Sequence, residues 1–183
     1  MNKIVKMTTF SAMCLALALV LPLITGQIRT IGNMLCPMHI PVLLCGFICG
    51  PVWGLVIGFA APLLRSLCFG MPALFPNAVG MAFELAAYGV ISGLLFLKLP
   101  KKPWSVYVSL ICAIVGGRLV WGAVRFVMLG LFKSEFSFEM FIGSAFLTAW
   151  PGIILQIILI PAIVLALRKA GIKDSGASAP KIY

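Results

Sequence analysis

Apolar segments long enough to cross a lipid bilayer follow one another along almost the whole of this 183-residue chain. Only short stretches with charged, polar, glycine or proline residues separate them. Charged residues make up 10% of the chain, whereas a soluble domain carries charge on about a quarter of its residues. Too few polar side chains are present to cover a water-facing surface. Because a spanning helix needs roughly 20 mainly apolar residues, we predict an all-α, polytopic membrane protein.

Six transmembrane helices fit the lengths of these segments. The stretch 38–69 is apolar almost throughout, and as one helix it would be about 48 Å long in a hydrocarbon core about 30 Å thick. Gly50-Pro51 divides it, since proline removes a backbone donor and glycine readily turns the chain. The predicted helices cover about 4–24, 38–49, 52–69, 76–97, 104–132 and 140–167. A polar tail follows at 168–183, and the chain forms a single membrane domain.

The formal charge of +10 reflects membrane topology rather than nucleic-acid binding, because most of the basic residues lie at the ends of apolar segments. With a cytoplasmic N-terminus, the cytoplasmic helix ends and tails carry Lys3, Lys6, Lys98, Lys101, Lys102, Arg168, Lys169, Lys173 and Lys181. The external loops carry only Arg29 and Lys133. A five-helix chain with an external N-terminus fits nearly as well, so the length of 38–69 decides for six helices. We expect a cell-membrane protein with both termini in the cytoplasm.

Residues suited to metal binding or catalysis are scarce. The six cysteines lie within or beside apolar segments without paired C-x-x-C motifs, and we predict no metal site. His39 is the only histidine, and we interpret it as a hydrogen-bonding residue at a helix end. The sequence contains no G-x-S-x-G, H-E-x-x-H or P-loop motif. We therefore predict no enzymatic activity and no cofactor, and uphill transport would need energy from a partner or an ion gradient.

Ionisable residues inside the predicted helices point to a functional site. A charge in hydrocarbon costs at least about 2.5–3.5 kcal/mol on insertion scales, so such residues usually face the bundle interior. The candidates are Arg65, Glu84, Arg118 and Arg125. Capping by backbone carbonyls, or snorkelling of the side chain to the head groups, is the alternative role for these arginines.

Depth along the helices predicts the partner of Glu84. Counting about 1.5 Å per residue from the predicted outer ends, Glu84 lies about 12 Å deep, Arg125 about 9 Å and Arg118 about 20 Å. We therefore expect Glu84 to pair with Arg125. Arg118 is then left without an acidic partner, and we expect it to meet a carboxylate, a phosphate or another electron-rich oxygen group of a substrate.

Small residues recur at helical spacing in two places. Gly46, Gly50, Gly54 and Gly58 follow one another at every fourth position. Glycine at this spacing lets helix backbones approach closely, so internal packing is the favoured interpretation and a substrate path along the groove is the alternative. Ala12 and Ala16 form a similar pair in helix 1 that serves either internal packing or docking of a partner helix.

Together these features resemble a known family, the substrate-binding S components of energy-coupling factor (ECF) vitamin transporters. The resemblance covers almost the whole chain, from the Ala12 and Ala16 pair to the basic end of helix 6. It includes PMHIPVLLCGFICGPVWGLVIGFAAPLL at 37–64, which is similar to the helix 2–3 hairpin of that family. NAVGMAFELAAYGVISGLL at 77–95 follows as helix 4.

The resemblance implies a subunit that captures a vitamin or related micronutrient from outside the cell. It also implies association with a transmembrane coupling subunit and two cytoplasmic ATPases, through the helix 1 surface at Ala12 and Ala16. In such proteins the ligand lies near the outer face, under the loops after helices 1 and 3 and against helices 4 to 6. Here this points to Asn33, Arg65, Asn77, Glu84, Arg118, Trp121, Arg125 and Gln156.

Two other classes of function stay open on the sequence alone. A membrane scaffold would use the glycines and alanines only to pack against partner helices. An intramembrane enzyme would need an active site that no recognised motif reveals. Copurification with two ATPases, together with a bound small molecule, would distinguish a transporter subunit from a scaffold.

Overall fold

The computed structural model of the chain describes residues 3–24, 34–100, 102–131, 143 and 149–169. Over these residues the backbone is mostly helical and contains no strand, which confirms the predicted all-α bundle. The helices are α1 (Lys3–Ile24), α2 (His39–Cys49), α3 (Pro51–Phe69), α4 (Val79–Lys98), α5 (Pro103–Leu131) and α6 (Trp150–Lys169). A π-helical turn, Leu74–Ala78, leads into α4.

Two helix ends differ from the sequence prediction. The regular part of α4 begins at Val79 rather than at 76, because Leu74–Ala78 form a π-helical turn in which the Ala78 backbone N–H donates to the Ala73 carbonyl oxygen at 2.9 Å. The polar tail was predicted to begin at Arg168, but α6 continues through Lys169. Basic side chains in a last turn face the negative end of the helix dipole, so they extend this helix. The predicted start of helix 6 at 140 falls outside the described residues.

Five of these helices are long and apolar enough to cross a membrane, and α2 is the exception within the described ranges. It has only 11 residues, which span about 16 Å, roughly half of the hydrocarbon core. Gly50 alone separates it from α3, with a φ of 93° that favours glycine. Pro51 opens α3, where a missing backbone N–H costs little.

The helices α2 and α3 lie side by side along α4. Gly46 on α2 and Gly54 on α3 stand four residues before and after Gly50, and both pack on Gly89 of α4. A Cβ atom added at either position would come within 2.7 Å of the Gly89 carbonyl oxygen. Because both helices meet the same residue, the chain reverses direction at Gly50. Glycine at these positions lets the three backbones touch.

One face of α1 packs against α2 and α3. Ser11, Cys14 and Ala18 are buried on that face, and the Cys45 thiol of α2 lies 3.7 Å from the Ser11 hydroxyl. Ala12 and Ala16 lie on the other side of α1 and are exposed. The two alanines are therefore available for contact outside this chain.

A second core joins α2 to α4, α5 and α6. Phe47 and Phe96 meet edge to face with their ring centroids 5.0 Å apart, and Leu110 and Ile160 are fully buried beside them. Tyr88 belongs to the same core. This apolar layer lies beside the polar residues described next, and it fixes the relative positions of the four helices.

Candidate functional site

The short helix α2 begins inside the bundle. Its first residue, His39, has Nε2 3.6 Å from Oε1 of Glu84, and its ring centroid lies 5.1 Å from that of Tyr88. Glu84 and Tyr88 lie five and nine residues after the start of α4, which is about 8–14 Å along the helix axis from that end. Cys36 and Met38, just before α2, are buried, and Cys36 departs from helical geometry with a positive φ of 46°. Irregular backbone at membrane depth occurs where it is buried in protein or lines a cavity, and broken helices form the substrate sites of many transporters.

The start of α6 holds the segment before α2 in place. A Cβ atom at Gly152 would lie 2.6 Å from the carbonyl oxygen of Met34 and 2.8 Å from that of Leu35. Only glycine permits this approach. Cys36 then turns the chain with a positive φ of 46°, and its carbonyl oxygen accepts a hydrogen bond of 3.0 Å from the His39 backbone N–H. These contacts place His39 opposite Glu84.

Glu84 forms a buried ion pair with Arg118 of α5. Nη1 of Arg118 lies 3.1 Å from Oε1 of Glu84, and the two side chains are 6% and 2% exposed. Nη2 of Arg118 also donates to the Cys36 sulfur at 3.6 Å. We call Cys36, His39, Glu84, Tyr88 and Arg118 the His39 cluster.

The predicted pairing of Glu84 with Arg125 is therefore wrong. Arg125 instead donates from Nη1 to Oδ1 of Asn77 at 2.8 Å, and its guanidinium lies 5.2 Å from the centroid of the Trp121 ring. Arg118, which we expected to be left without an acid, takes the one acidic side chain in the described ranges. We call Asn77, Trp121 and Arg125 the Arg125 group.

The register between α4 and α5 explains why depth did not identify the pair. Positions near Gly80 face Arg125, and positions near Tyr88 face Gly117. Midway between them, Glu84 lies at the level of residue 121, three residues from Arg118 and four from Arg125. Depth alone cannot separate two arginines so placed. Two features decide the pairing: Arg118 is the more deeply buried arginine, and Arg125 donates its hydrogen bond to the amide of Asn77 instead.

Several buried polar atoms of the His39 cluster make no hydrogen bond to the described residues. They are Nδ1 and Nε2 of His39 and Nε of Arg118. Leaving a buried polar group unpaired costs about 1–3 kcal/mol, so unpaired groups concentrated in one place indicate a functional site. Imidazole offers one donor and one acceptor when neutral, which suits the recognition of a polar ligand.

The other predicted site residues have different positions. Arg65 donates from Nη1 to the Leu19 carbonyl oxygen at 2.5 Å and stacks on Phe69, so it ties α3 to α1. Gln156 is buried on α6, one turn before Ile160 of the core. Asn33 lies outside the described residues. No group of three metal-ligating side chains occurs in the described part of the chain.

Sequence reasoning did not assign a site role to His39, Tyr88 or Cys36. The signal for His39 was its place in PMHIP, between two prolines at the start of a helix too short to span the membrane. The signal for Tyr88 was its position one turn after Glu84 on the same helical face. No sequence pattern indicated that Cys36 would contact Arg118.

The family model described as the substrate-specific component of ECF transporters matches residues 6–166. This chain belongs to that family. The match confirms the resemblance drawn from the sequence, and it includes both the His39 cluster and the Arg125 group. As an ECF substrate-specific component, the chain is a membrane subunit of a transporter, and its family is not an enzyme family. Comparisons with curated proteins and with solved structures gave no match.

The ion pair can be tested by a double-mutant cycle on the ECF component purified in detergent. Glu84→Gln and Arg118→Gln should each destabilise the protein by about 3–5 kcal/mol, because each leaves an uncompensated buried charge. The double variant should lose less than the sum of the two. Thermal unfolding measures the effect, and Arg125→Gln is the control, expected to be additive with Glu84→Gln. Additivity at Arg118 and coupling at Arg125 would contradict the observed pairing.

Proposed function

We propose that this ECF component captures a vitamin or related micronutrient in the space bounded by the His39 cluster and the Arg125 group. The observation that carries the proposal is the start of α2 at the buried Glu84–Arg118 pair, with unpaired polar atoms around it. A half-length helix that begins at an intramembrane charge pair is a costly arrangement for a purely structural role. A substrate site accounts for it.

The two groups supply what a small-molecule site requires. Ligand sites are mainly apolar, with a few well-placed polar groups that fix orientation. His39 and Glu84 offer hydrogen-bonding atoms, while the rings of Tyr88 and Trp121 offer flat surfaces. Because α2, α4 and α5 fix these side chains, the site is formed before the ligand arrives.

The exposed side of α1 is the proposed docking surface for the transmembrane coupling subunit. Its buried side is already used by Ser11, Cys14 and Ala18, whereas Ala12 and Ala16 face outward. Small residues at this spacing let a partner helix approach closely. Two ATPases bound to the coupling subunit would supply the energy, since this sequence has no P-loop.

The proposed orientation places both termini in the cytoplasm of the cell. Lys98 and Lys102 mark the end of the bundle where α4 ends and α5 begins, and Arg168 and Lys169 end α6. Basic residues concentrate on the cytoplasmic side of membrane proteins. The Arg125 group then lies toward the external face, where a substrate would enter.

Docking through α1 can be tested by adding bulk to its exposed side. Ala12→Trp or Ala16→Trp should weaken copurification with the coupling subunit and the ATPases several-fold, because tryptophan prevents close approach of the helices. Ala123→Trp, at an exposed position on α5, is the matched control and should leave assembly unchanged. Equal assembly of all three variants would contradict the assignment of this surface.

Substrate capture can be tested without knowing the ligand. The purified component is incubated with a protein-free ultrafiltrate of yeast extract, washed and denatured, and the released molecules are identified by mass spectrometry. We expect one enriched small molecule with the wild-type protein and with Ala123→Trp. His39→Phe should lose most of it, since phenylalanine keeps the ring but removes both nitrogens. Failure of the folded wild type to enrich any molecule would favour the scaffold interpretation.

A further inference from the structure

Arg125 carries a positive charge with no acidic partner in the described ranges. Glu84 is the one acidic residue there, and Arg118 occupies it at 3.1 Å. The hydrogen-bond acceptor for Arg125 is the neutral amide of Asn77. The Nε atom of Arg125 is buried and makes no hydrogen bond to the described residues. Arg65, by contrast, is committed to the α1 backbone through Leu19.

The guanidinium of Arg125 is held in a defined position. Nη1 of Arg125 donates a hydrogen bond to Oδ1 of Asn77, and Cζ of Arg125 lies 5.2 Å from the centroid of the Trp121 ring. Gly80 on α4 lies opposite Arg125 and has no side chain. A Cβ atom added there would lie 3.5 Å from Cδ of Arg125, which is ordinary van der Waals contact. A planar guanidinium fixed in this way can bind a carboxylate or phosphate through paired hydrogen bonds.

The His39 cluster is unsuited to a second anion. The charges of Glu84 and Arg118 cancel each other, and an anionic group placed beside the Glu84 carboxylate would be repelled. The polar atoms without partners there favour an uncharged group that donates and accepts hydrogen bonds. Arg118 and Arg125 are seven residues apart on α5, which separates the two groups by about 10 Å.

We propose that Arg125, rather than Arg118, binds an acid group of the substrate, while the His39 cluster binds an uncharged hydrogen-bonding group about 10 Å away. The substrate is thus a carboxylic acid or phosphate ester with a polar neutral end. This inference rests on the proposed function. It replaces our expectation that an anion meets Arg118.

A lipid phosphate would offer Arg125 the same chemistry as a soluble acid. Arg125 lies six residues before the end of α5, about 9 Å from it, so its side chain could reach toward the head groups. The two sources differ in what is captured. A soluble acid is enriched from an aqueous extract, whereas a phospholipid is carried through purification from the membrane.

The test uses the folded component with the ultrafiltrate of yeast extract, and compares wild type with Arg125→Gln and Arg125→Lys. Thermal unfolding shows whether each variant is folded. We expect wild type to enrich an acidic molecule, Arg125→Gln to bind the purified compound at least about tenfold more weakly, and Arg125→Lys to fall between them. Esterification or dephosphorylation of the compound should weaken binding to wild type but not to Arg125→Gln, because that variant has already lost the interaction.

The contradicting outcomes are distinct. A cationic or neutral captured molecule, unchanged affinity in Arg125→Gln, or a phospholipid as the one bound anion would each overturn the inference. A neutral molecule lost from His39→Phe would leave the proposed function standing. If wild type enriches no molecule, the proposed function fails, and this inference fails with it.

Discussion

The ion pair between Glu84 and Arg118 is the interaction around which the site is built. Neither charge could stay within the bundle unpaired, because removing one partner of a buried pair costs several kcal/mol. At 3.1 Å the pair joins α4 to α5, and the second contact of Arg118, to Cys36, joins both helices to the irregular segment before α2. The beginning of α2 is therefore fixed by a polar interaction, while its end at Gly50 is fixed by backbone packing.

Close glycine contacts make this arrangement possible. The reversal at Gly50 brings α2 and α3 together on Gly89, so a helix of only 11 residues is supported along its length by two longer ones. Without side chains at Gly46 and Gly54 the backbones approach closely, so α2 is held against α4 with His39 at its first position beside Glu84. Close helix packing thus offsets part of the cost of placing the polar His39 side chain at a depth where contact with hydrocarbon would be unfavourable.

The fold was predictable from sequence because apolar length, proline and glycine act locally. The division at Gly50-Pro51 follows from the thickness of a bilayer, whereas the pairing of Glu84 depends on tertiary register. Glu84 lies at the level of residue 121, nearly equidistant from two arginines, so counting residues from the helix ends could not choose between them. The site role of His39 was not predicted for a similar reason. That role depends on how deep in the bundle α2 begins, and no local sequence pattern encodes that depth.

An experimental structure of the protein with its captured small molecule tests the central claim most directly. We expect the molecule to lie between the His39 cluster and the Arg125 group, with its acid group on the Arg125 guanidinium and the Glu84–Arg118 contact intact. The deciding measurements are the distances from the Glu84 carboxylate to the guanidinium groups of Arg118 and Arg125. A structure in which Glu84 pairs with Arg125 and the acid group of the ligand lies on Arg118 would contradict this assignment.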